Sequence, residues 1–198
     1  MDRFEQSLVT NMGSFNLDLP AETIARLGDY YSLLTGWNDR LHLVAPCEPE
    51  EFAVRHVLES LLLLKYVPEN ARVADVGSGG GLPIIPCLIA RPDLEATLIE
   101  SSQKKAVFLR EAVSQLKLHA TIVAQPFEQV EAPPVSFVTC RALDRFTEKL
   151  PRLIKWAPAG STLLLFGGET LGEELAGKLD KHLIPLSEKR FLFILAAD

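Results

Sequence analysis

An α/β fold, with a mostly parallel sheet wrapped by helices, is what this sequence predicts, and three observations carry the prediction. From about residue 71 onward, short β-branched or apolar runs alternate with helix-like ones, the pattern of strands joined by helical crossovers. One of these runs, "RVADV", leads straight into "GSGGG" at positions 77–81, four glycines in five residues. Glycine is entropically costly in ordered backbone, so a cluster of it implies a sharp turn or a close approach by another group. The third observation is composition: 198 residues, 47% hydrophobic and 23% charged, fit one globular domain with a small appendage.

The elements follow in order. Residues 20–37, "PAETIARLGDYYSLLTGW", place Ile24, Leu27, Tyr31 and Leu34 three and four apart, an amphipathic helix opened by Pro20. A second helix follows "CEPEE", whose acids suit a helix N-terminus, and runs through Phe52, Leu58, Leu61 and Leu62 toward a break at Pro68. Residues 1–66 are therefore expected to form a helical extension, and 67–198 the α/β core. Within the core the runs "RVADV", "EATLIE", "ATIVA" and "VSFVTC" read as strands, and "QKKAVFLREAVSQLKL" as a helix. The last third adds a helix near 144–157, a strand "STLLLF", a short helix near 169–180 and a closing strand "KRFLFILA".

Several function classes are excluded on composition. The charged N-terminus is unlike a signal peptide, and "VLESLLLLKYV" is too short and too charged to span a bilayer, so a cytoplasmic protein without membrane attachment is expected. Cys47, Cys87 and Cys140 are widely separated, with no metal-ligand spacing, so they read as free thiols and no metal is expected. A net charge of −6 argues against a globally basic nucleic-acid binder and leaves room for a local basic patch.

A strand, then Gly77, Gly79 and Gly81, then a helix opened by Pro83 is the first turn of a doubly wound unit that binds a nucleotide-like ligand at the carboxyl ends of its strands. Glu100, about 20 residues on at the end of the next strand, stands where such folds place an acid for ribose hydroxyls. Leu82 occupies the position of the third glycine of a dinucleotide fingerprint, and Pro83 has no N–H to offer a phosphate. The tighter GxGxG loop suits a ligand without phosphates, such as S-adenosyl-L-methionine, better than a nicotinamide dinucleotide.

The motifs "RHVLES" (55–60), "DVGSGGGLP" (75–83), "KKAVFL" (104–109), "LKL" (116–118) and "CRAL" (140–143) resemble the ribosomal RNA small-subunit methyltransferase G family, also called glucose-inhibited division protein B. The resemblance runs in order from about Trp37 to Ile194. It implies a seven-stranded Rossmann-like methyltransferase fold with an N-terminal helical extension, S-adenosyl-L-methionine as cofactor, and methylation of N7 of a guanine in 16S ribosomal RNA. It also implies cofactor contacts at Gly77, Leu82, Phe127, Glu128 and Arg141, with Arg141 near the reaction centre. The chain departs from the family at Ile84, where a glycine is usual, at Pro126, in place of an arginine, at Phe166, in place of a lysine, and at Glu59, in place of an aspartate. Another methyltransferase substrate, or binding without turnover, are the alternatives that these departures keep open.

Guanine N7 is nucleophilic in the neutral base, so positioning is the main task, and orientation alone can supply on the order of 7–11 kcal/mol. The scattered histidines accordingly form no acid–base constellation. For the RNA, Arg141, Arg145, Lys149, Arg152 and Lys155 recur at helical spacing as a basic stripe, or as a plain solvated face. Lys104, Lys105 and Arg110 form a second candidate patch, and Arg55 and His56 of "RHVLES" are further candidates for the RNA edge.

Overall fold

The computed structural model describes residues 1–141, 146–175 and 179–197. Seven strands form one sheet in the order β3-β2-β1-β4-β5-β7-β6: β1 (Arg72–Val76), β2 (Glu95–Ile99), β3 (Ala120–Val123), β4 (Phe137–Cys140), β5 (Thr162–Gly167), β6 (Asp180–Leu183) and β7 (Phe191–Ala196). Strands β1 to β5 are parallel, and β7 runs antiparallel to both β5 and β6. The chain winds outward from β1 to β3, returns to β4 and continues the other way. The direction of winding therefore switches between β1 and β4, where such sheets leave a crevice at the strand ends.

Helices cover both faces. The extension comprises α1 (Arg3–Asn11), α2 (Ala21–Leu41) and α3, a continuous helical run over 49–65. Together with α4 (Ile84–Ala90) and α5 (Gln103–Gln115) it packs on the face of β5 that carries Leu164 and Phe166. Helices α6 (Phe146–Trp156) and α7 (Glu169–Glu174) lie on the other face, against Leu163 and Leu165. The alternation of "TLLLF" thus feeds two cores, as the period of a strand requires. One apolar cluster runs without interruption from Phe4 through Leu27 and Leu61 to Leu98 and Leu192, so the extension and the sheet share a core.

Local chemistry accounts for the helix ends. Asp2 accepts from the Glu5 amide at 2.9 Å while Glu5 accepts from the Asp2 amide at 3.3 Å, a reciprocal cap that starts α1. Helix α2 runs past the expected end at Trp37 because "NDRL" continues the helix until His42 adopts a left-handed conformation, φ 48°. Helix α3 begins at Pro49–Glu51, widens to a π-helix over Phe52–Leu58, returns to α over Glu59–Leu61 and tightens to 3₁₀ over Leu62–Lys65. Inserted wide turns of this kind concentrate at functional sites.

Candidate functional site

A cavity of about 580 Å³ opens at the carboxyl ends of β1, β2 and β4, within the size range of small-molecule sites. One wall is the glycine loop, with Gly77, Ser78, Gly79, Gly80 and Leu82. Glu100 to Ser102 and Lys105 form the side toward β2 and α5, and Leu43 to Ala45 come from the segment after α2. His56, Arg141 and Lys149 close the far side.

The glycines do different work. Gly79 has φ +53°, and a Cβ there would meet nothing closer than the Gly77 carbonyl at 3.8 Å, so the space in front of it belongs to the cavity. Its N–H donates to Glu100 Oε2 at 2.8 Å, and the Ser102 N–H donates to Glu100 Oε1 at 2.7 Å. Glu100 is thereby fixed at the rim, with lone pairs left for ligand hydroxyls. Gly81, expected to contact the cofactor, does not line the cavity. A Cβ there would lie 2.2 Å from Ile85 Cδ1, so this glycine lets α4 pack close behind the loop.

The extension builds part of the site. Tyr30 is fully buried, its phenol is pushed well up by burial, and its hydroxyl donates to the Gly80 carbonyl at 2.7 Å. The Asn38 amide bonds both the Val44 carbonyl, at 3.1 Å, and the Val44 N–H, at 3.0 Å, pinning the 43–45 wall. Residue types alone mark neither contact as functional. An amphipathic helix hides a tyrosine hydroxyl as readily as it hides a ring.

Arg141 lies at the end of β4, with its side chain 15% exposed. Its Nη2 donates to Glu59 Oε2 at 3.1 Å and to the Arg55 carbonyl, and its Nη1 donates to Ser60 Oγ at 3.3 Å and the His56 carbonyl at 3.5 Å. The guanidinium carbon sits 5.5 Å from the centre of the Phe166 ring, a cation–π contact. Glu59, 1% exposed, also receives Arg190, whose Nη2 and Nε donate to Oε1 at 2.6 and 3.0 Å. Sequence reasoning did not find this cluster. The signal was a carboxylate inside the apolar run "VLESLLLL", where an acid must find partners.

His56 packs against Phe52 with the rings tilted by 46° and their centres 5.0 Å apart, and its buried Nδ1 has no partner among the described residues. Burial, with Arg141, Arg55 and Arg190 nearby, lowers its pKa to about 3, so it lines the cavity as a neutral imidazole. Arg55 pairs with Glu51 and points outward. Lys105 and Lys149 face the cavity, whereas Lys104 is exposed outside it. Phe127, expected beside the adenine, is 3% exposed and packs edge-on against Trp156 at 5.7 Å; Glu128 is exposed, and neither lines the cavity. Arg145 lies outside the described residues, and Arg141 directly follows β4, whereas Lys149, Arg152 and Lys155 stand on α6. Arg152 and Lys155 are exposed on α6.

Asp75, on β1, is fully buried, and neither carboxyl oxygen has a partner among the described residues; the Ser78 hydroxyl donates to its backbone carbonyl instead, at 3.0 Å. Burial, reinforced by the charge of Glu100, raises its pKa to about 8. The folded protein therefore holds a proton that the unfolded chain releases above its ordinary carboxylate pKa, and stability is lost as pH rises from about 4 to about 8. Asp75→Asn, which cannot ionise, is expected to unfold at a higher temperature than the parent at pH 8, with the gap closing by pH 4. Thermal unfolding of both across that range checks it.

The crevice at the winding switch, with a glycine loop, a ribose-type acid and, among the described residues, a loop helix opened by Pro83 without an N–H for a phosphate, is a Rossmann-like site suited to a nucleoside ligand without phosphates. Solved structures agree at the level of fold. A SAM-dependent methyltransferase from Aquifex aeolicus matches with a TM-score of 0.58 at 15% identity over 74% of this chain and 93% of that one. TYW2 from M. jannaschii, in complex with AdoMet, matches with a TM-score of 0.55 at 14% identity over 70% and 73%. Sequence gives the family: the model for rRNA small subunit methyltransferase G, or GidB, matches residues 23–195. Relatives carrying that name include one from Sorangium cellulosum, 37% identical over 86% of this chain and 75% of its own length, and one from Acidiphilium cryptum, 43% identical over 70% and 65%. The chain belongs to the rRNA small subunit methyltransferase G family and is an S-adenosyl-L-methionine-dependent methyltransferase.

The residues present fit that cofactor: the open space before Gly79, the fixed Glu100 carboxylate and a cavity of adequate volume are all in place. No helix among the described residues is long and apolar enough to cross a membrane, and those residues contain no cluster of three metal-ligating side chains.

Proposed function

We propose that this protein methylates N7 of a guanine in 16S ribosomal RNA, as free RNA or within the small subunit, in the cytoplasm. The observation that carries this reading is a two-sided cavity: the glycine loop, Glu100 and Lys105 on one side, and His56, Arg141 and Lys149 on the other. The names of the relatives support ribosomal RNA as the substrate class.

In this reading Gly77, Gly79 and Leu82 lie against the cofactor, and Glu100 accepts from its ribose. Phe127 and Glu128, which the family resemblance assigns to the adenine, would have to reach it from outside the cavity lining. When bound, S-adenosyl-L-methionine supplies an electrophilic methyl group, the electron pair of the broken C–S bond stays on sulfur, and the base gains the positive charge. The chain itself has to orient the guanine and exclude water. No general base is required, which agrees with a His56 whose burial makes it a weak base and a Glu100 engaged by two backbone N–H groups. A base splayed out of the RNA would enter between the cofactor and the His56–Arg141 wall.

The protein has a net charge of −6, so attraction of RNA must be local. Lys105 and Lys149 at the cavity, with Lys104 and Arg55 further out, are the cations we assign to the phosphates, and Arg145, outside the described residues, joins them on its sequence position alone. Lys105→Ala and Lys149→Ala are each expected to weaken RNA binding and to reduce the slope of log affinity against log salt by about 1. Titrations at several salt concentrations check this. The substrate class is tested by methyl transfer to purified 16S rRNA, 23S rRNA and transfer RNA side by side. Transfer confined to 16S rRNA or the small subunit is expected, and a preference for either other RNA overturns the reading.

A further inference from the structure

Arg141 lines the cavity, yet its four terminal N–H groups are directed at α3: two at Glu59 and the Arg55 carbonyl, two at Ser60 and the His56 carbonyl. Among the described residues only its Nε–H lacks a partner. An arginine with free terminal donors next to guanine makes a bidentate pair with O6 and N7, the commonest specific contact to that base. In a site that methylates N7, that pair would be unproductive, because it ties up the lone pair that must attack.

We propose that Glu59 is a positioning residue that keeps the Arg141 guanidinium bonded to α3 and so prevents it from capping guanine N7; this rests on the guanine-N7 reading above. The geometry supports a hold rather than a loose surface pair. Glu59 is 1% exposed, and its two oxygens are divided between the arginines, Oε2 to Arg141 and Oε1 to Arg190. Arg190, whose side chain is 36% exposed, shares Glu59 from the turn before β7, so that one carboxylate holds two guanidinium groups. Phe166 sets the height of the guanidinium from the sheet side. Arg141 is thus a wall of the cavity with its terminal donors spent, and Glu59 is the one charged group among the four acceptors that hold them.

The test compares Arg190→Met with the double variant Glu59→Met/Arg190→Met. Methionine is close in volume to glutamate and keeps α3 packed; because Arg141 keeps its charge, the double variant is expected to unfold at a lower temperature than the single one, and both are compared below their unfolding transitions. The single variant leaves Glu59 on Arg141; the double variant removes only that hold in addition. Relative to the single variant, the double variant is expected to lose on the order of tenfold to a hundredfold in kcat, the worth of one bidentate arginine–guanine pair, with KM for the RNA unchanged or lower and cofactor affinity unchanged. Glu59→Asp, which keeps the charge, is expected to stay near wild type. Equal kcat in the two methionine variants overturns the proposal, as does a rise in KM without a fall in kcat, or a loss that tracks cofactor affinity. Should the methionine pair misfold, Glu59→Ala/Arg190→Ala against Arg190→Ala makes the same comparison. A wild-type enzyme that leaves N7 unmethylated in the same assay instead overturns the underlying reading, and the proposal with it.

Discussion

Arg141→Ala is expected to lower methyl transfer by at least about a hundredfold and to lower the unfolding temperature by roughly 10 °C. The truncation leaves the buried Glu59 with Arg190 alone and strips donors from the Arg55 and His56 carbonyls of the widened turn in α3. Losing one partner of a buried ion pair costs about 3–5 kcal/mol, and in a chain of this length each kcal/mol moves the midpoint by about 2–4 °C. The cavity wall goes with it, since His56 is placed by the same turn. Transfer assays with thermal unfolding on the same preparations check both effects. Turnover at the wild-type level would remove Arg141 from the account.

The second large effect separates two glycines of one loop. Gly79→Val is expected to fold, at a backbone cost of about 1–2 kcal/mol for the left-handed conformation, while losing cofactor binding, because its side chain would project into the cavity. Gly81→Val is expected to fail in folding first. Its φ of +85° is strained for valine, and the new Cβ would sit 2.2 Å from Ile85 Cδ1 in the buried start of α4. Calorimetric titration with S-adenosyl-L-methionine, together with denaturant unfolding, distinguishes the two. Similar stabilities for both variants would contradict the division of labour.

The fold was legible where side-chain period and burial coincide. Strands β1, β2, β4 and β5 bury most of their length and read as apolar runs between loops. Strand β6, "DKHL", is exposed at all four positions at the sheet edge, so no alternation marks it and its neighbourhood reads as the end of a helix. The glycine loop and Glu100 were legible because their spacing is local. Phe127 could not be placed by motif alone, since an aromatic after a strand serves the core as well as a ligand, and its ring packs on Trp156. The Glu59 cluster was not legible, because its partners stand 82 and 131 residues away and only the fold brings them together.

That division also bears on the departures from the family. Phe166 lies beneath Arg141, and the nearby Glu59 is shared with a second arginine, Arg190. The change from lysine to phenylalanine therefore falls among the groups that shape the cavity wall. Pro126 caps the turn that holds Phe127, outside the residues that line the cavity.

In the proposed reading this cavity delivers a methyl group to guanine N7 of small-subunit ribosomal RNA. Its most direct test is transfer of labelled methyl from S-adenosyl-L-methionine to 16S rRNA prepared from cells lacking that modification, with the product base identified by mass. The expected product is 7-methylguanine. Methylation at another atom, or no transfer from protein shown to bind the cofactor, would contradict the claim.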